Sequence, residues 1–188
     1  MNKLVLQIFM SLDGYAAGPN GEFLAPAYTQ DLATHWSGYA NERARHVLYG
    51  ANSFVFNKKF WSDPASPGAN MPHASFMNRV PKTVASSSLP ADPGWNAKTQ
   101  SGDLKTIVAD LKRYAEGDIY VFGGVKLARS LIAAGVVDEY RLLVLPKLLG
   151  QGQTIFQTGF AEQQFERIAV TPLDTGAVIL HYGRKASR

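Results

Sequence analysis

The chain has 188 residues, 46% hydrophobic and 18% charged, with a formal net charge of +4. This composition is typical of a folded soluble protein, and we expect one domain over residues 1–188. Because the chain has no cysteine, disulfides, thiolate zinc sites and a cysteine nucleophile are excluded.

Charge and hydropathy also limit the partners. Lysine and arginine are scattered along the chain, so the basic excess favours an anionic small ligand at least as much as nucleic acid. No apolar run approaches the ~20 residues that span a membrane, and the histidines show no metal-ligand spacing. We expect a cytoplasmic protein with a small-molecule substrate and no metal, membrane or nucleic-acid partner.

The first half of the chain predicts alternating strands and helices. We expect a first strand over 3–10, because this apolar start runs directly into the turn Ser11-Leu12-Asp13-Gly14. A helix is predicted from Thr29 to Leu48, with Thr29 as its cap. Short strands are expected over 53–56 and 82–85, and the segment 57–80 is expected to be irregular.

The second half predicts two helices and a strand-rich end. Asp103 caps a helix that runs to about Ala115, and strand 118–122 leads into a helix over 125–134 that Gly135 closes. Strands over 139–145, 165–171 and 177–182 follow. This order predicts an α/β fold, with a mostly parallel central sheet, antiparallel edge strands and flanking helices.

The turn Phe122-Gly123-Gly124-Val125 is the most informative motif. Glycine lets a bound group approach the backbone, and the free N–H groups at the start of the next helix favour an anion such as a pyrophosphate. Tight packing of strand against helix also requires glycine, so these residues alone leave both interpretations open.

Five segments match one known pattern in order. In chain order, these segments are Ser11-Leu12-Asp13-Gly14, the run from Gly50 to Phe54, the run from Lys82 to Leu89, the run from Asp118 to Leu131, and the strand and hairpin within 135–152. Together they resemble the dihydrofolate reductase-like proteins related to the C-terminal reductase domain of bacterial riboflavin biosynthesis. The resemblance implies a dihydrofolate reductase fold, NADPH binding and hydride transfer to a pterin-like or flavin-precursor ring. The cofactor-binding residues that it implies are Gly50, Ala51, Asn52, Ser53, Ser86, Ser87, Ser88, Phe122, Gly123, Gly124, Val125, Lys126 and Leu127.

Two departures from the family pattern concern the cofactor. Ala51 and Ser87 stand where the family carries arginines, and the first of these arginines normally helps to hold the adenosine 2′-phosphate. Three interpretations stay open: NADPH held by the serines and a lysine such as Lys58 or Lys59, a preference for NADH, or loss of the dinucleotide for another ligand.

Two carboxylates are candidates for the catalytic site. Asp31, in the first turn of the long helix, resembles the substrate-binding acid of dihydrofolate reductases, and burial would suit it to donate a proton. Asp13 lies in the loop that borders substrate and nicotinamide in the resembling reductases. The alternatives are a solvated helix-start residue for Asp31 and a turn residue for Asp13.

We therefore expect a nicotinamide-dependent reductase of a small heteroaromatic substrate. The alternatives are a non-catalytic small-molecule binder that keeps the fold, and an interaction protein with an exposed apolar patch. We also expect a homodimer whose interface includes residues from about Leu142 to Phe156. Apolar edge strands need cover, and the resembling reductases dimerise through this region.

Overall fold

The structure, a computed structural model, describes residues 2–185. Its strands are β1 Leu4–Ser11, β2 Tyr15–Ala17, β3 Ala44–Gly50, β4 Lys82–Ala85, β5 Ala97–Gln100, β6 Asp118–Phe122, β7 Glu139–Leu145, β8 Gln153–Thr154, β9 Phe165–Pro172 and β10 Val178–Arg184. Its helices are α1 Gln30–Leu32, a π-helical turn Ala33–Gly38, α2 Tyr39–Arg43, α3 Ala51–Ser62, a 3₁₀ turn Pro67–Asn70, α4 Ala74–Arg79, α5 Leu104–Tyr114 and α6 Val125–Ala133.

Eight of these strands form one sheet in the order β5-β4-β3-β6-β1-β7-β10-β9. The strands from β5 to β7 in this order are parallel, whereas β10 runs antiparallel to β7 and β9 antiparallel to β10. The predicted fold class is therefore confirmed: a parallel sheet is extended at one edge by an antiparallel pair.

Alternate side chains of β1 enter two cores on opposite faces of the sheet. Leu4, Leu6 and Ile8 pack with the apolar sides of α5 and α6. On the other face, Val5 packs with residues of α3 and α4, among them Phe54. Because both faces are covered, the parallel strands are almost continuously apolar.

The predicted helix ends in the second half are confirmed. The carboxylate of Asp103 accepts the N–H of Thr106 at 2.9 Å and caps α5, and α6 ends just before Gly135, whose φ is +67°. The first strand also begins and ends within one residue of its predicted bounds.

Two predicted elements between residues 44 and 56 are wrong. The helix predicted to reach Leu48 ends at Arg43, and β3 begins at Ala44 because Val47, Leu48 and Tyr49 are fully buried in the middle of the sheet. The strand predicted over 53–56 is the first part of α3. These residues have a high intrinsic strand propensity, but their tertiary context after β3 makes them helical.

Two further differences concern regular structure that the sequence did not predict. The segment 57–80 contains the end of α3, the 3₁₀ turn and α4. Strand β5 was missed because it is a short outer strand, with Lys98 and Gln100 exposed.

Candidate functional site

The predicted cofactor segments lie together at the carboxyl ends of the parallel strands, and we call this side of the sheet the carboxyl edge. Strands β4, β3 and β6 are parallel neighbours, and their carboxyl ends lead into residues 86–88, 50–53 and 122–127 respectively. Gly50 is paired with Ala85, so the serine turn lies beside the start of α3. Open α/β sheets bind ligands outside the carboxyl ends of their strands, which makes this edge the candidate dinucleotide site.

The two glycines after β6 have different surroundings. Both adopt positive φ, +73° at Gly123 and +85° at Gly124, a region that glycine enters without steric cost. A Cβ at Gly124 would lie 3.2 Å from the Cβ of Ser53, whereas a Cβ at Gly123 would meet no atom within 4 Å. The absence of a side chain at Gly124 therefore lets the turn before α6 pack closely against the start of α3. Gly123, in contrast, borders open space that a ligand can approach.

Helix α6 begins directly after this glycine pair. The N–H groups of a helix's first turn have no intrahelical partner and carry the positive end of the helix dipole. Lys126 is exposed on this turn, and Leu127 packs against Gly50, whose added Cβ would lie 3.5 Å from the Leu127 Cβ. The open backbone, the helix start and the lysine together suit a pyrophosphate.

The residues predicted to face the adenosine include three serines, Ser86, Ser87 and Ser88. Ala51 is the first residue of α3, and the Ser86 hydroxyl accepts the N–H of Ser88 at 3.1 Å. The Nζ of Lys58 donates to the Pro93 carbonyl at 2.7 Å, while Lys59 is exposed. These contacts leave the choice between NADPH and NADH open.

Asp13 joins the loop after β1 to the segment after β7. Its carboxylate accepts the hydroxyl of Ser11 at 2.6 Å, the N–H of Gly150 at 2.7 Å and the N–H of Leu149 at 3.1 Å. The Ser11 hydroxyl, followed by these N–H groups, lowers the pKa of the carboxyl below its usual range. Proton donation by Asp13 stays a prediction that these contacts disfavour.

Asp31 contacts the turn between β9 and β10. One carboxylate oxygen accepts the N–H of Asp174 at 2.9 Å, and the other lies 3.4 Å from Nε2 of His35. The predicted cap is confirmed beside it, because the Thr29 hydroxyl accepts the N–H of Leu32 at 3.1 Å. The catalytic role of Asp31 stays a prediction, and its present partners belong to the helix and the hairpin turn.

A series of aromatic side-chain contacts lies at the carboxyl ends of β1 and β6, and we call it the aromatic circuit. Its contacts run from Trp36 through Phe9, Phe23, Phe56, Phe60, Trp61 and His73 to Phe122, with ring centroids 4.9–6.2 Å apart. Gln7 links the two ends of the series through the backbone, because it pairs with Phe122 in the sheet and its Nε2 donates to the Trp36 backbone carbonyl at 3.3 Å. Since Phe122 directly precedes Gly123, the circuit adjoins the candidate dinucleotide site.

Gln7 and Arg141 hold the π-helical turn that carries Trp36. Arg141 is only 4% exposed, and its guanidinium donates to the Gln7 Oε1 at 2.8 Å and to the His35 carbonyl at 2.7 Å. It also lies 3.8 Å from the centre of the Tyr39 ring. Two carbonyl groups of the turn thus accept hydrogen bonds from side chains of the sheet, and π-helical turns are frequent at functional sites.

Sequence reasoning missed three polar members of this region: Gln7, Arg141 and His73. The signal for the first two was a polar residue within an apolar strand run, at Gln7 between Leu6 and Ile8 and at Arg141 between Tyr140 and Leu142. His73 gave no such signal, because it lies in the segment 57–80 where no pattern was recognised.

Two cavities lie away from this edge. One, of about 340 Å³, is mainly apolar and is lined by Ile132, Tyr140, Leu142, Phe156, Phe160, Gln163, Phe165 and Tyr182. The other, of about 310 Å³, lies at the amino ends of β1 and β7 and is lined by Asn2, Lys3, Lys112, Asp138, Glu139, Glu166, Ile168, Gly183 and Arg184.

Residues 2–185 contain neither a cluster of metal ligands nor a membrane-spanning helix. No three histidine, aspartate or glutamate side chains in this range come together as metal ligands. None of the helices in the same range has the length and apolar character that a membrane span requires.

The strand order and the antiparallel extension are those of the dihydrofolate reductase fold, and the structure of dihydrofolate reductase from Enterococcus faecalis, complexed with NADP(H) and RAB-propyl, superposes with a TM-score of 0.61. That protein is 16% identical, and the match covers 97% of this chain and 96% of the other. The chain belongs to the RibD C-terminal domain family, whose model matches residues 2–179. The predicted family is thereby confirmed.

The chain is also similar to two further proteins. The uncharacterized protein YyaP of Bacillus subtilis (strain 168) is 26% identical over 154 residues, which cover 82% of this chain and 80% of YyaP. The crystal structure of a candidate riboflavin biosynthesis protein of Shewanella sp. PV-4 is 23% identical, with a TM-score of 0.74 and coverage of 98% of this chain and 99% of that one.

Proposed function

We propose that this protein is a cytoplasmic, nicotinamide-dependent reductase that transfers a hydride to a small heteroaromatic substrate, pterin-like or flavin-precursor-like. NADPH is the proposed cofactor and NADH the alternative. The observation that carries the proposal is the convergence of three predicted dinucleotide segments beside the aromatic circuit. Membership of the RibD C-terminal domain family supports it.

The residues of the chain divide the work between two adjoining regions. Gly123, the first turn of α6 and Lys126 would hold the pyrophosphate, and Ala51 with residues 86–88 would face the adenosine. When bound, the nicotinamide supplies the hydride. The aromatic circuit would hold a flat ring in position and exclude water.

Of the two carboxylates predicted to be catalytic, Asp31 is the one proposed to supply the proton. Asp31 stays our candidate donor, and His35, 3.4 Å from its carboxylate, is the group that would return a proton to it. Asp13, ionised by its hydrogen bonds, would act by holding the loop after β1 against residues 149–150.

Separate titrations with NADPH and NADH, followed by nicotinamide fluorescence, test the proposal. A reductase binds at least one of them and oxidises it when a pterin or flavin-precursor acceptor is added. Binding without oxidation by any acceptor would favour the non-catalytic binder. Binding of neither cofactor would contradict the proposal.

Ala51→Arg should change cofactor preference. A guanidinium at the first position of α3 would lie beside the serine turn and could bond a 2′-phosphate, and charge-assisted bonds contribute ~1.5–3 kcal/mol. We expect NADPH affinity to rise about tenfold and NADH affinity to stay unchanged.

The matched control for this variant is Ser62→Arg, which adds the same charge to the exposed end of the same helix. An equal gain for both cofactors, or an equal gain in the control, would mean that residue 51 does not face the 2′ position.

We also propose the homodimer, with residues from about Leu142 to Phe156 in its interface. Leu142 and Phe156 line the apolar cavity of about 340 Å³, and Leu148 is 72% exposed. Ile155, in contrast, is fully buried in the chain's own core. An open apolar surface of this kind is commonly covered by a second copy.

Light scattering at micromolar concentration should give twice the chain mass of 20.5 kDa. Leu148→Glu combined with Phe156→Glu should yield the single-chain mass, because two charges would enter the apolar contact. Tyr114→Glu, at a 73% exposed position on α5, is the control and should stay dimeric. A dimer unaltered by the double variant would move the interface elsewhere.

A further inference from the structure

The residues predicted to bind the dinucleotide carry no negative charge. Residues 50–53, 86–88 and 122–127 contain no aspartate or glutamate, whereas Lys126 is exposed on the first turn of α6. The N–H groups of that turn add the positive end of the helix dipole. This half of the carboxyl edge therefore suits the phosphates of a dinucleotide.

The other half of the carboxyl edge has the opposite charge, and we call it the acidic half. It consists of residues 12–31 after β1, residues 146–152 after β7 and the turn 173–177 before β10. The turn belongs to this half because the start of β10 is paired with the end of β7. The three segments contain one lysine or arginine, Lys147, and four carboxylates, Asp13, Glu22, Asp31 and Asp174.

These four carboxylates form no ion pair with a lysine or arginine of residues 2–185. Glu22 accepts the backbone and side-chain N–H groups of Asn20 at 2.9 and 2.8 Å, and Asp174 accepts the Thr29 hydroxyl at 3.0 Å. The Asn20 side chain lowers the pKa of the Glu22 carboxyl. Since the partners of Glu22 and Asp174 are uncharged, their negative charges are not offset.

The carboxylates at the opposite end of the sheet show the contrast. Glu139 and Asp138 lie 2.5 Å from the ammonium groups of Lys3 and Lys112 respectively. Charge is therefore neutralised locally at the amino ends of the strands, whereas the acidic half keeps a negative field. In that half Asp31 lies 3.4 Å from His35, which is charged only when it is protonated.

The acidic half adjoins the aromatic circuit. Glu22 directly precedes Phe23, whose ring contacts Phe9 and Phe56 with centroids 5.6 and 6.2 Å apart. Asp31 lies on α1, which continues into the π-helical turn that carries Trp36. A phosphate or carboxylate on a ring held by the circuit would meet charges of its own sign, and like charges facing each other weaken binding.

We infer that the substrate of this site carries no phosphate or carboxylate group: a neutral or positively charged planar ring binds beside the acidic half, and the dinucleotide is the anionic reactant. This rests on the proposed function, because it assigns the charge class of the substrate at the same site. Among pterin-like and flavin-precursor-like rings, it selects those without an acidic substituent.

The experiment compares two matched pairs of fluorescent probes, pterin with 6-carboxypterin and riboflavin with FMN, at about pH 7 without nicotinamide cofactor. Each pair shares one ring system and differs by an anionic substituent. About 1 mM inorganic pyrophosphate in every sample keeps the FMN phosphate from the predicted pyrophosphate position. We expect each neutral probe to bind at least about tenfold more tightly than its anionic partner at low ionic strength.

Salt separates repulsion between charges from exclusion by shape. Raising NaCl from about 20 mM to about 500 mM should reduce the preference for the neutral probes to about threefold or less, because salt screens exposed charges. A preference that depends on shape would not change with salt.

Three variants locate the charge. Glu22→Lys should lower the preference for the neutral probes at least about threefold and leave pterin affinity unchanged. Glu22→Gln, which keeps an acceptor for Asn20, should have a smaller effect in the same direction. Glu116→Lys is the matched control, because Glu116 is exposed and precedes the amino end of β6, and it should keep the full preference.

Equal or tighter binding of the anionic probes would overturn the inference. So would a preference that neither salt nor Glu22→Lys changes, or failure of both neutral rings to bind. Because no cofactor enters these titrations, they are independent of the NADPH and NADH titrations that test the reductase function. A protein that prefers the neutral rings but binds neither cofactor would keep the charge assignment and lose the reductase proposal.

Discussion

Gly123→Asp should lower dinucleotide affinity at least tenfold, about 1.4 kcal/mol. The aspartate would enter the open space at this position and set a negative charge against the predicted pyrophosphate. Gly123 is a sharper target than Gly124, where an added Cβ lies 3.2 Å from Ser53 and would disturb packing as well. Fluorescence titration of NADPH and NADH measures the effect.

The control for this variant must share its backbone strain and its charge. Gly159 also has a positive φ, +94°, and a Cβ there would meet no atom within 4 Å. Gly159→Asp should therefore cost about the same free energy of unfolding, ~1–2 kcal/mol, and leave dinucleotide affinity unchanged. Equal affinity in a folded Gly123→Asp would remove the pyrophosphate assignment.

Sequence patterns predicted the strands β1, β6 and β7 of the parallel sheet because these strands carry apolar runs bounded by turn residues. The run 118–122 before Gly123-Gly124 is such a case, and Asp103 marked the start of α5. The pattern failed at 44–56, where a helix, a strand and a second helix follow without a glycine or proline between the first two. Burial of Val47, Leu48 and Tyr49 on β3 depends on neighbours distant in the chain, which local periodicity does not contain.

The candidate site was predictable where it depends on backbone shape and not where it depends on distant contacts. Gly123 could be found because a positive-φ turn before a helix requires glycine. The partners of Asp31, in contrast, include the N–H of Asp174, which is 143 residues away. The aromatic circuit likewise joins residues from two strands, the π-helical turn, α3 and two loops, and no local pattern reports that arrangement.

A cluster of charged side chains at the opposite end of the sheet makes the free energy of unfolding depend on pH in the acid range. Glu139 is 7% exposed and accepts hydrogen bonds from His181 at 2.9 Å and from Lys3 at 2.5 Å. Burial alone would raise the pKa of its carboxyl, but the bonds from His181 and Lys3 outweigh burial and lower the pKa to about 2. The three residues join β7, β10 and the start of β1.

We expect the free energy of unfolding to fall by about 3 kcal/mol as the pH drops from about 5.5 to about 2. The folded carboxyl has a lower pKa than the unfolded one, whose ordinary value is 4.5. The unfolded chain therefore binds the proton first, and stability present above pH 4.5 is lost as the pH falls towards 2. Urea unfolding at a series of pH values measures the change.

Glu139→Gln isolates this charge. At pH 7 the variant should be less stable than the wild type by about 3 kcal/mol, because Lys3 and His181 lose their anionic partner. Near pH 2 the two proteins should converge, since the wild-type carboxyl is then becoming neutral as well.

Glu116→Gln, at an exposed position, is the control and should show the same stability as the wild type at every pH. A difference that stays constant with pH would show that the glutamine acts through shape and hydrogen bonding and not through the lost charge. Dinucleotide affinity should be unchanged in folded Glu139→Gln, because this cluster lies at the amino end of β7 and Gly123 follows the carboxyl end of β6.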